Sequence, residues 1–114
     1  MASGTINLPT NKTGTLTAAT GFTLSEPRCV QKGNVVEIHF VATGSFTSGA
    51  EVTVASFSGV TAPASHIRFL CGYGAHAYDA VSVGYAICAT SSVVAVNITA
   101  TGTRAVTVDF VYTV

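Results

Sequence analysis

The densest group of side chains able to do chemistry lies in the Gly-rich stretch 72–79. It holds Tyr73, His76, Tyr78 and Asp79 within seven residues. Tyrosine rings stack on sugars, and Asp and His exchange hydrogen bonds with sugar hydroxyls. Loops on rigid β scaffolds commonly carry recognition. The stretch predicts a saccharide-binding loop. The alternative is an ordinary surface loop whose tyrosines cover the edge of the core.

Catalytic arrangements have less support in the sequence. A nucleophile, a base and an orienting acid must meet in space, and no Gly-x-Ser-x-Gly motif is present. Cys71 with His66 or His76 is the one dyad that can be drawn. Glycoside hydrolysis needs two carboxylates about 5–10 Å apart, and no local spacing pairs any of Glu26, Glu37, Glu51, Asp79 and Asp109. We therefore expect no catalytic residue and no enzyme activity. A small glycan hydrolase is the alternative.

Metal and cofactor chemistry are not indicated either. Glu37 and His39 alternate on one strand and share its polar face, so a contact at a subunit seam or with an ion is one interpretation and a solvated face is the other. Cys29, Cys71 and Cys88 show no CxxC spacing. We expect buried free thiols, with one disulfide and a leftover thiol as the alternative. No metal site and no cofactor is predicted.

Composition limits the partners. The 114 residues carry a formal net charge of zero, which argues against a nucleic-acid binder and against a polybasic lipid-binding surface. No apolar run approaches the roughly 20 residues of a membrane-spanning helix, so membrane insertion is not expected. Only 9% of residues are charged, against about 25% in a typical soluble domain. This predicts an apolar face buried against copies of the same chain. A monomer with a Thr/Ser-rich surface is the alternative.

The sequence predicts that β-strands position the candidate binding residues. The clearest is 34–43, where Val36, Ile38 and Phe40 alternate with Glu37 and His39 after a turn at residues 32–34. Six further strands are predicted at 22–31, 51–57, 66–71, 80–90, 93–100 and 104–114. No helical periodicity is present.

These strands predict an all-β fold, an antiparallel, jelly-roll-like β-sandwich of about seven or eight strands. Residues 1–21 are predicted to be an extended arm or stalk lead-in, with a short strand at 14–18, and residues 22–114 the sandwich domain. Because proline cannot donate to a ladder, Pro27 should interrupt the first strand or place it at an edge.

The order of these elements is similar to a known family. A strand is followed by Lys32-Gly33-Asn34-Val35-Val36 and an alternating strand, then by a Ser-Gly loop, a Val-rich strand and a Pro-containing loop before an aromatic-bearing strand. Short strands separated by Ser-Ser and Thr-Gly turns follow. This pattern, carried by residues 29–40, 48–69 and 83–114, resembles the C-terminal head domains of tailed-phage tail fibres and baseplate receptor-binding proteins.

The resemblance implies a trimeric head at the distal end of a virion tail or fibre. Its partners would be two further copies of itself, an upstream fibre or baseplate protein, and a saccharide of the host-cell surface. A purely structural virion module, such as a trimerisation cap or decoration protein without a ligand, is the alternative. The resemblance transfers no binding residues, because such sites vary within the class.

Overall fold

Alternating apolar residues along nearly the whole chain place it in strands. The computed structural model describes residues 11–76 and 82–114, and within these ranges it contains nine β-strands and no helix. The fold class predicted from the sequence is confirmed. The strands are β1 (Asn11–Thr13), β2 (Thr15–Ala18), β3 (Thr23–Lys32), β4 (Val35–Phe46), β5 (Glu51–Ser58), β6 (Ile67–Gly74), β7 (Ser82–Cys88), β8 (Val93–Asn97) and β9 (Gly102–Thr113).

All strand pairs are antiparallel and belong to one nearly closed sheet, ordered β1-β3-β4-β9-β6-β7-β8-β5-β2. The sheet has two halves, β1-β3-β4-β9 and β6-β7-β8-β5-β2. Between them, β6 and β9 pair only from Gly72–Thr107 to Gly74–Ala105. No helix in the described ranges has the length and apolar character needed to cross a membrane.

The pair β4–β9 forms the spine of the sheet. Every residue of both strands takes part in the ladder, from Val35 opposite Thr113 to Phe46 opposite Gly102. Because side chains alternate across a strand, each strand sends one set of apolar residues inward. These are Val36, Ile38, Phe40 and Ala42 from β4 and Val106, Val108, Phe110 and Tyr112 from β9, all buried.

The β3–β4 hairpin forms as the sequence predicts. Lys32 pairs with Val35, which leaves Gly33 and Asn34 as a two-residue turn. Gly33 has a φ of 61°, and a positive φ at the first turn position suits glycine in such hairpins. The predicted interruption at Pro27 is confirmed, because the β3–β4 register shifts between Ser25 and Arg28.

A short N-terminal segment bridges the two ends of the sheet. β1 pairs with β3 and β2 pairs with β5, so the chain changes partner at Gly14. The Gly14 amide donates to the Cys29 carbonyl at 2.8 Å. A methyl group at Gly14 would lie 2.5 Å from both the Cys29 sulfur and the Ser58 carbonyl oxygen. Glycine is therefore required where the two edges meet. Residues 1–10 of the predicted arm lie outside the described residues.

Two strands run further than the sequence indicates. β4 continues through Gly44 to Phe46, where a loop was predicted, and Phe46 is fully buried. β6 continues through Tyr73 to Gly74, also into a predicted loop. In both places pairing with β9 holds the backbone extended and overrides the local turn tendency of glycine.

Replacing Gly14 with alanine should destabilise the protein by about 3 kcal/mol, the upper end of the usual cost of overpacking. The cost arises because Ser58 contributes a backbone atom that cannot rotate away. Gly49→Ala is the matched control: its added methyl meets nothing within 4 Å and costs only about 1 kcal/mol for the left-handed backbone. Urea unfolding measures both. Equal losses in the two variants would contradict the requirement at Gly14.

Candidate functional site

Tyr73 lies inside the protein and not in a surface loop. It belongs to β6, is 6% exposed, and its hydroxyl shares a hydrogen bond of 2.9 Å with the Thr99 hydroxyl. Its ring is part of the main core cluster. Direct contact between this ring and a ligand would require the core to open.

Of the four predicted saccharide ligands, the structure describes two, Tyr73 and His76. His76 is exposed just after β6. Tyr78 and Asp79 lie outside the described residues. Of the predicted set, His76 is the one whose surface position is described, and the loop remains a prediction at the other two positions.

Glu37 and His39 lie on the outer face of β4, as their alternation indicates. Glu37 accepts hydrogen bonds from Arg28 at 2.9 and 3.2 Å, and this lowers the pKa of its carboxyl. His39 Nδ1 lies 3.9 Å from Asp109 Oδ2. Glu37 is thus engaged within its own chain. No group of three His, Cys, Asp or Glu side chains suited to a metal occurs among the residues the structure describes.

The three cysteines are free and buried. Burial raises the pKa of the Cys71 and Cys88 thiols to about 11, and it also raises the pKa of the Cys29 thiol. A thiol with such a pKa is protonated at neutral pH and is a poor nucleophile. In the described ranges no hydrogen bond joins Cys71 to His66 or His76, both of which are exposed. The dyad drawn from the sequence is therefore not assembled.

The prominent surface feature is apolar. Leu70 on β6 is 76% exposed, and its neighbours on β7, Val83 and Tyr85, are 66% and 41% exposed. Together with Arg68, we call these residues the outer face. A shallow depression of about 290 Å³ lies there, lined by Arg68, Phe69, Leu70 and Tyr85.

The outer face arises from an unusual distribution of residue sizes between the two sides of β7. Its inward positions are Gly84, Ala86 and Cys88, whereas the larger Val83 and Tyr85 point outward. A methyl group on Gly84 would lie 2.7 Å from both the Asn97 carbonyl oxygen and an Ile98 methyl carbon. At position 84 the interior beneath β7 thus has no room for a side chain. Core packing does not explain the large residues on the other side.

Polar groups border this face. The Tyr85 hydroxyl accepts a hydrogen bond of 3.0 Å from the Asn97 side chain, which also donates to the Gly49 carbonyl at 3.1 Å. Arg68 is exposed and makes no hydrogen bond or ion pair within the described structure. Sequence reasoning missed this face. The signal was present in β7, where bulky residues alternate with Gly84, Ala86 and Cys88.

A second depression, of about 400 Å³, lies beside Gly14 where the N-terminal segment meets the bulge of β3. It is lined by Thr13, Thr15, Arg28 and their neighbours. The Arg28 guanidinium is already held by Glu37, so it is not free to bind a ligand carboxylate. This depression therefore offers little beyond hydroxyl groups and backbone.

Comparison with known proteins gives no match: no family model, no curated protein and no solved structure resembles this chain significantly. What the structure defines is an all-β antiparallel protein with an exposed apolar face. Any function must be argued from that geometry and from the sequence.

Replacing Tyr73 with phenylalanine should cost about 1 kcal/mol of stability, because it removes the hydrogen bond to Thr99. Binding to any saccharide should be unchanged. Tyr85→Phe removes an exposed hydroxyl and should cost less than about 0.5 kcal/mol. Urea unfolding and a cell-binding assay measure the two effects. A Y73F variant of normal stability that fails to bind would instead place Tyr73 in a binding site.

Stability should fall as pH rises from about 9 to about 11. An ordinary thiol has a pKa of 9.0, whereas Cys71 and Cys88 keep their protons to about 11 in the folded protein. In this window the unfolded chain binds fewer protons than the folded one, so stability decreases with pH. Below pH 9 these thiols leave it constant.

Urea unfolding between pH 8 and 11 measures this slope, and Cys88→Ala should make it shallower. An identical slope in the C88A variant would show that the buried thiol does not produce it.

Proposed function

We propose that this chain is the head domain of a phage tail-fibre or baseplate receptor-binding protein. In this proposal it assembles as a homotrimer at the distal end of the tail or fibre and attaches the virion to a host-surface saccharide without catalysis. The observation that carries the proposal is the exposed outer face. In a chain with 9% charged residues, apolar residues concentrated on one face favour a surface covered by another subunit.

The resemblance in the sequence supplies the second support. The order of strands and turns in residues 29–40, 48–69 and 83–114 resembles that of the head domains of phage tail fibres, and an antiparallel all-β fold agrees with such a head domain. Three weak saccharide sites on one rigid head would act together, so that avidity exceeds the affinity of each site. The binding loop in this proposal contains His76, Tyr78 and Asp79, while Tyr73 supports it from the core.

A structural module without a ligand is the second candidate, and one observation favours it. Tyr73, one of two tyrosines assigned to the saccharide site, is turned into the core. A trimerisation cap or decoration protein would need the outer face and no sugar site. A small glycan hydrolase would need paired carboxylates. In the described structure Glu37 is bound to Arg28, and Asp109 Oδ2 lies 3.9 Å from His39 Nδ1.

The first test combines mass and attachment. Light scattering should give about three times the chain mass of 11.6 kDa. The labelled protein should bind intact host cells saturably and be displaced by glycans released from the same cells. His76→Ala, Tyr78→Ala and Asp79→Ala should each weaken binding by roughly 10-fold or more because one polar or stacking contact is lost. Exposed Thr17→Ala is the control.

The outcomes separate the candidates. An oligomer that binds no cells or glycans would favour the structural module. Release of soluble sugar during the incubation would favour the hydrolase. Full binding by all three alanine variants would move the site away from this loop.

A further inference from the structure

The outer face extends from β7 and β6 onto β9. The ladder between β6 and β9 ends at Gly72–Thr107, and continuing its register would set Leu70 opposite Asp109 and Arg68 opposite Val111. The rings of Phe69 and Phe110, which this register also sets opposite each other, stack at 4.5 Å. The core-facing side chains of β6 and β9 therefore keep the same register beyond the last hydrogen-bonded pair.

This continuation collects most of the exposed apolar surface in one place. Val111 is 57% exposed and joins Leu70, Val83 and Tyr85 on the outside of three neighbouring strands. In the described ranges, Val114 is the one other large hydrophobic residue that is similarly exposed.

Beside the Arg28–Glu37 ion pair, which lies next to Val111, the same surface carries one further charge of each sign, Arg68 and Asp109. Arg68 has no partner in the described part of its own chain. The Asp109 side chain is 71% exposed, and its Oδ2 lies 3.9 Å from His39 Nδ1. The two lie diagonally across the β6–β9 junction and form no ion pair with each other. A strongly acidic partner would be repelled by Asp109 and a strongly basic one by Arg68. A surface with both charges around an apolar centre is complementary to itself.

We propose that this surface binds a second copy of the chain, with Arg68 of each copy facing Asp109 of its neighbour and Leu70, Val83, Tyr85 and Val111 buried between them. This identifies the contact used for assembly and rests on the proposed function for its biological setting only. Closed protein assemblies repeat one contact around an axis, and complementary charges across that contact fix its register.

A charge-reversal experiment on the whole chain tests the pairing. Arg68→Glu and Asp109→Arg should each raise the dissociation constant of the oligomer by roughly 10-fold or more, because each places like charges together. The double variant R68E/D109R restores opposite charges and should return to within about 3-fold of the parent. Lys12→Glu, the same change of charge on β1, should have no effect. Sedimentation equilibrium measures each constant.

A second arm tests the apolar part. Leu70→Ser with Val83→Ser should shift the protein to monomer, while circular dichroism and the urea midpoint confirm folding, which these exposed side chains should not affect. An unchanged oligomer in this variant and in both charge reversals would overturn the assignment of the face, while cell binding would still support the proposed function. Failure of the double reversal to restore assembly would overturn the Arg68–Asp109 pairing. A parent that is monomeric at all concentrations would overturn the inference together with the homotrimer of the proposed function, and saturable cell binding would then test attachment to cells separately.

Discussion

The full-length pairing of β4 with β9 is the constraint on which the rest of the structure depends. Both strands use every residue in the ladder, so each residue's side of the sheet is fixed from Val35 to Phe46 and from Gly102 to Thr113. A slip by one residue would turn Ile38, Phe40 and Val108 out to solvent and bring Glu37 and Asp109 into the core. The burial of one alternating set thus fixes the register, and this register in turn determines where β3 and β6 attach.

The two attachments on either side of this spine differ in extent. β3 follows β4 through a tight hairpin and departs from it only at the bulge before Arg28. β6 is held to β9 by three residue pairs, after which the two strands share a core contact between Phe69 and Phe110 but no further ladder. At the other end of the sheet, the segment around Gly14 links β3 to β5 and nearly closes the structure. The β6–β9 junction is therefore a place where two neighbouring strands are held together by core packing more than by the ladder.

Much of this fold could be predicted from the sequence, because period-two alternation and turn residues are local signals. The turn at Gly33, the interruption at Pro27 and the seven long strands follow from them. The strand ends at Phe46 and Gly74 could not be predicted, since they depend on pairing with β9, which is distant in the sequence. The buried position of Tyr73 could not be predicted for the same reason, and Tyr73 was one of the four residues of the predicted saccharide site.

When both faces of a strand are apolar, the alternation of residues also does not show which face points into the core. In β7 the inward side is the one with Gly84, where Ile98 and the Asn97 carbonyl group leave no space for a side chain.

The low fraction of charged residues can now be related to particular parts of the surface. Threonine, serine and glycine can make a surface soluble without charge, so composition alone did not separate a polar monomer from an assembling subunit. The structure distinguishes places within the surface: the outer side of β4 carries Glu37 paired with Arg28, whereas the outer sides of β6 and β7 carry Leu70, Val83 and Tyr85. The Arg28–Glu37 pair thus lies on the outer side of β3 and β4, whereas large apolar residues lie on the outer side of β6 and β7, where interior packing did not require them. Because β7 places Gly84, Ala86 and Cys88 inside and the larger Val83 and Tyr85 outside, its outward side carries apolar surface that its own core does not cover, and this is the surface that the proposed assembly would bury.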